Sequence, residues 1–159
     1  MISSSLDMLE ESLIKKLDIL SRIEEENEIQ KEVLLSMDQE RLSEFDQGVD
    51  RKGELIDQLD LLDDGFQTLF DKVKDEVNKN KEQYKDKIRN MQELIQQITG
   101  KSASIEASER RNKKLAEKYF SSVRQELNTS KQTSAAAFNY YRTMNNFKDI
   151  PPQFLDNKN

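Results

Sequence analysis

The residues with the most chemical potential are carboxylates: Glu24-Glu25-Glu26 and Asp63-Asp64. Clustered acids can hold a divalent metal or divide acid and base duties between them. Three consecutive helical residues point in three directions, however, and no Glu-x-x-His partner accompanies them. The sequence has no His and no Cys. That removes a thiolate nucleophile, a disulfide, a histidine acid/base and the usual structural zinc ligands. Gly48 and Gly53 stand apart, with no Gly-x-Gly-x-x-Gly or Walker pattern to cradle a phosphate. The sequence therefore points to no catalytic residue, no metal site and no cofactor, and the acids read as solvated helix faces. Enzymatic activity is not expected.

The elements carrying these residues are helices. Of 159 residues, 35% are charged and 35% hydrophobic, with four Gly and two Pro. Such a chain can bury apolar stripes but cannot fill a thick core, which favours long helices packed side by side. Leu6, Leu9, Leu13, Leu17 and Leu20 form one helical face, weakening at Glu24-Glu25-Glu26-Asn27 and recovering at Val33, Leu34 and Met37. A break is expected at Ser36-Met37-Asp38, with Asp38 capping the next helix. Leu42, Phe45, Val49, Leu55, Ile56, Leu59 and Leu62 follow, then a turn or bend at Asp63-Asp64-Gly65. Phe66, Leu69, Phe70, Val73, Val77, Tyr84, Ile88, Met91, Leu94, Ile95 and Ile98 continue in nearly the same phase. One bent helix over 39–98 is thus the alternative to two helices. Thr99-Gly100 reads as a helix stop, and Ile105, Leu115, Tyr119, Phe120, Val123 and Leu127 mark a last helix. The expected fold is all-α: an elongated antiparallel, coiled-coil-like bundle of three to four helices, at about 4–36, 39–64, 66–98 and 103–131, with residues 134–159 as a separate aromatic segment.

Charge is distributed unevenly. Residues 1–65 hold seven basic and 19 acidic side chains, and residues 66–133 hold 15 basic and ten acidic. If the two segments fold against each other, opposite charges meet. Acids interspersed in the basic part, and the acidic part beside it, argue against nucleic acid as a partner. The N-terminus lacks the basic-then-apolar pattern of a signal peptide, and no stretch has the roughly 18 apolar residues of a membrane span. A soluble protein without stable membrane insertion is expected.

Residues 134–159 hold five of the eleven aromatics, Phe138, Tyr140, Tyr141, Phe147 and Phe154, and only five charges. Ala137, Phe138, Tyr141 and Met144 share a face if the segment is helical. Two readings stay open: a final helix that seals the bundle, or a segment that orders on a partner.

Leu34-Leu35-Ser36-Met37-Asp38-Gln39-Glu40-Arg41-Leu42, followed by Asp50-Arg51-Lys52-Gly53-Glu54-Leu55-Ile56, resembles the FlgN family of flagellar export chaperones, whose pattern the FliT type shares. The segment from Ile105 to Leu115, with Asn112 before Leu115, is similar to the Asn-bearing last helix of that family. Pro152-Gln153-Phe154-Leu155-Asp156-Asn157-Lys158 is similar to the aromatic-Asp-x-Lys ending of many members. The resemblance implies a bacterial cytoplasmic bundle, a monomer or weak homodimer. It would bind the C-terminal helical region of the hook–filament junction proteins FlgK and FlgL and dock on the export-gate protein FlhA. Leu115, Tyr119, Phe120, Val123, Leu127, Phe138, Tyr141 and Met144 are the expected client-binding residues. Tyr140, Tyr141 and Phe154 are the expected gate-docking residues, with Phe154 in a slot where the family more usually has Tyr. The competing classes are a coiled-coil scaffold without an export role and a chaperone for another type III secretion substrate.

Overall fold

The computed structural model describes residues 2–127, which form three long helices: α1 (Ile2–Ser36), α2 (Leu42–Lys79) and α3 (Lys85–Leu127). At 1.5 Å per residue they run roughly 50, 57 and 65 Å. Lys16 pairs with Asp63 and Glu26 with Arg51, so α2 returns antiparallel along α1. Glu24 pairs with Lys101 and Glu28 with Arg111, so α3 runs parallel to α1. The result is an up-down-up bundle with short connections. No described helix is long and apolar enough to cross a membrane.

The first connection falls where the sequence suggests, although Asp38 does not cap α2 itself, which starts after Arg41 without a side-chain cap. The Asp38 carboxylate accepts from the Glu40 N–H at 2.9 Å and caps a short 3-10 turn over Gln39–Arg41. Met37 adopts φ 53°, the left-handed conformation that ends a helix and that usually falls to Gly. Ser36 Oγ donates to the Val33 carbonyl at 2.6 Å and accepts from the Asp38 N–H at 3.2 Å, bracing this residue.

The second connection is not where Gly65 and Gly100 suggest. Both lie inside continuous helices, and open space surrounds the place of a Cβ at each. The four helices expected at 4–36, 39–64, 66–98 and 103–131 are therefore three, since α2 joins the second to part of the third and α3 joins the remainder to the fourth. Leu62 and Phe66 are four apart, and Ile98 and Ile105 seven apart, so the apolar phase passes each glycine intact. A propensity deficit of about 1 kcal/mol is too small to break a helix whose stripe stays buried. The chain instead turns at residues 80–84, within a run of six successive polar residues, Asn78 to Gln83, where the stripe is absent. Asn80 organises that turn. Its Nδ2 donates to the Glu76 carbonyl at 3.0 Å, its N–H donates to the Val77 carbonyl at 3.1 Å, and its carbonyl accepts from Gln83 at 3.0 Å.

Among the described residues the interior falls into two apolar clusters. The larger joins Leu6, Leu9, Leu13, Leu20 and Ile23 to Ile56, Leu59, Phe66 and Val73, and to Met91, Ile95, Ile98 and Ile105. The smaller, beside the α1–α2 connection, contains Val33, Leu34, Phe45, Val49, Ala116, Tyr119 and Phe120.

Candidate functional site

Between the two clusters, every buried position on all three helices is polar. From α1 come Asn27 and Gln30, from α2 Lys52, and from α3 Glu109 and Asn112. Lys52 Nζ lies 2.8 Å from Glu109 Oε1 and 2.6 Å from Oε2, with the two side chains 1% and 3% exposed. Burial pushes the Lys52 ammonium below its usual value, while Glu109 and, more distantly, Glu26 pull it back up. Asn112 Nδ2 donates to the Asn27 carbonyl at 2.9 Å and to Gln30 Oε1 at 3.1 Å. Asn27 Nδ2 donates to Ser108 Oγ at 2.8 Å. Asn27 Oδ1 and Gln30 Nε2 are buried without a hydrogen-bond partner. At the rim, Arg51 grips Glu26 through Nε at 2.8 Å and Nη2 at 3.0 Å.

This layer was readable as a pattern but not as an interaction. Asn27, Lys52, Glu109 and Asn112 fall in phase with the apolar stripes of their helices, each where a Leu or Ile would be expected. The weakening of the first stripe at Glu24-Glu25-Glu26-Asn27 is its trace in α1. The acids there are not only a solvated face, because Glu24 meets Lys101 at 2.8 Å and Glu26 meets Arg51. Asp63 likewise takes the ammonium of buried Lys16 at 2.7 Å. Burial raises the Asp63 carboxyl and lowers Lys16, each against the pull of the other. Opposite charges also meet between the acidic and basic segments: Lys87 binds Asp7 and Glu10, Lys101 binds Glu24, and Arg111 binds Glu28.

The expected client-binding residues separate into three groups. Tyr119 and Phe120 are 0% and 1% exposed and belong to the bundle's own core, with Leu115 packed half-buried against them. Phe120 meets Phe45 edge-on at 5.2 Å, and Tyr119 meets Phe120 the same way at 5.3 Å. The Tyr119 hydroxyl donates to the Asp38 carbonyl at 2.8 Å, tying α3 to the α1–α2 connection. These two side chains thus hold the fold and present no surface in the closed bundle. Val123 and Leu127 belong to α3 by backbone. Phe138, Tyr140, Tyr141, Met144 and Phe154 lie outside the described residues.

An apolar surface does occur, but elsewhere. Ile14 and Ile19 of α1 and Leu61 and Leu62 of α2 line a cleft of about 690 Å³, edged by Lys15, Asp18, Arg22 and Gln58. Leu61 is 73% exposed and Ile14 53%. Sequence reasoning missed it because Leu61 and Leu62 are adjacent, and periodicity places only one of them on the buried stripe. Among the described residues, no three acids, histidines or cysteines are grouped to hold a metal ion. Comparison with protein-family models, curated proteins and solved structures finds no match.

Proposed function

We propose that this protein is a flagellar type III export chaperone of the FlgN kind, acting in the bacterial cytoplasm by covering an amphipathic helix of its client. The observation that supports this reading is the apolar cleft of Ile14, Ile19, Leu61 and Leu62, where two of the exposed apolar side chains, Ile14 and Leu61, come together. A groove between two helices accepts a third helix through anchors at i, i+3, i+4 and i+7 and releases it without covalent chemistry. Junction-protein termini are amphipathic and assemble once exposed, so an unassembled subunit needs such cover. Capture draws on the cleft and on Phe138, Tyr141 and Met144. Tyr140, Tyr141 and Phe154 serve docking on FlhA.

Titration calorimetry with a C-terminal helical peptide of a FlgK-like protein tests this proposal. Saturable binding by the full chain, lost on deletion of residues 134–159 while helical circular dichroism persists, is the expected result. No binding by the full chain, together with a stable self-associated rod in light scattering, would favour the scaffold reading instead.

A further inference from the structure

We infer that the polar layer of Asn27, Gln30, Lys52, Ser108, Glu109 and Asn112 divides the bundle into two cooperative units, and that the unit beside the α1–α2 connection opens on its own while the rest stays folded. This holds whatever partner the protein binds.

The inference begins with continuity of the core. Between Ile23 and Val33 on α1, between Val49 and Leu55 on α2, and between Ile105 and Ala116 on α3, no apolar side chain is buried. At 1.5 Å per residue the interruption is roughly 9 to 16 Å along the axis, so apolar packing does not carry across it. The bonds that do cross the layer are polar ones, between groups that water can also satisfy. Asn27 Oδ1 and Gln30 Nε2 have no protein hydrogen-bond partner, so admitting water at this level breaks no bond of theirs.

The two units are unequal. Among the described residues the smaller cluster contains seven buried apolar residues and the larger sixteen, so the smaller unit gives way first. Its closure rests on Phe45 and Phe120 in the interior and on the Tyr119 hydroxyl, which holds the Asp38 carbonyl at 2.8 Å. Met37, left-handed at φ 53°, sits at that same connection. Opening would bring Tyr119 and Phe120 to the surface, a state in which both become available to another helix.

Native-state hydrogen exchange of the full chain tests the division. The amides of Leu34, Val49 and Ala116 should exchange as one group, about ten times faster than those of Leu13, Ile56 and Ile98. A separation smaller than about threefold overturns the proposal. Tyr119→Phe, which removes one hydroxyl and no packing, should speed the first group severalfold and leave the second unchanged; equal acceleration of both groups would mean a single cooperative bundle. Lys52→Met with Glu109→Leu should narrow the separation, and an unchanged separation would deny the layer its role as the boundary.

Discussion

Lys52 Nζ stands 2.6 Å from Glu109 Oε2 in the interior, joining α2 to α3 where the apolar core is interrupted. A buried pair of this kind contributes little net stability over apolar residues of similar volume, because desolvation offsets the attraction. Removing one partner is different, since the other is left charged and enclosed.

Glu109→Ala should therefore cost about 3–5 kcal/mol, whereas Lys52→Met with Glu109→Leu should be neutral or stabilise by about 1–4 kcal/mol. Urea denaturation midpoints at neutral pH measure both. A double variant as unstable as the single one would mean that the pair is itself a main source of stability.

The buried lysines also set a pH dependence. Burial holds Lys52 and Lys16 below their usual 10.5 in the folded protein, against the raising influence of Glu109 and Asp63. Between the lowered value and 10.5 the unfolded chain binds more protons than the folded one, so stability rises with pH across that window. Tyr119, raised by burial above 10.0, acts in the opposite sense from there upward, and Lys87, raised by Asp7 and Glu10, from 10.5 upward. Urea midpoints from neutral pH to about 10 should climb, and the climb should be shallower in Lys52→Met with Glu109→Leu, where only the Lys16 share remains. A slope unchanged by the double substitution would remove Lys52 as a source.

The fold class and the break at Asp38 were legible in the sequence because each follows from local pattern, and the meeting of opposite charges from the uneven charge of two segments that fold together. Leucines at steps of three and four define α1 without reference to its neighbours. What sequence obscured was competition between signals. Gly65 and Gly100 advertised turns, but an unbroken apolar phase outweighed them, while the six polar residues from Asn78 to Gln83 carried the turn without a Gly or Pro. The aromatics of α3 were legible as an apolar face, yet whether Tyr119 and Phe120 face a client or Phe45 depends on the parallel register of α1 and α3. That register is a tertiary fact, fixed by pairs such as Glu24 with Lys101 and Tyr119 with Asp38.

The same competition yields a prediction at the glycines. Open space lies where a Cβ would go at Gly65 and Gly100, and both have helical neighbours on each side. Gly65→Ala and Gly100→Ala should each stabilise by about 1 kcal/mol, raising the melting temperature by about 2–4 °C. A turn at either position would give the reverse sign, so thermal melts followed by circular dichroism decide the matter.

The cleft between α1 and α2 supplies the last prediction, which separates binding from folding. Ile14 and Leu61 are more than half exposed, so their apolar side chains contribute little to the closed core. Ile14→Ser and Leu61→Gln should change stability by no more than about 0.5 kcal/mol each. Neither adds charge beside Lys15, Asp18 or Arg22. If the cleft seats a client helix, the two together should weaken binding of a junction-protein C-terminal peptide by about tenfold or more, because anchors filling a groove carry most of the affinity. Calorimetric affinity unchanged in a variant of normal stability would place the client elsewhere on the chain and leave the cleft without that role.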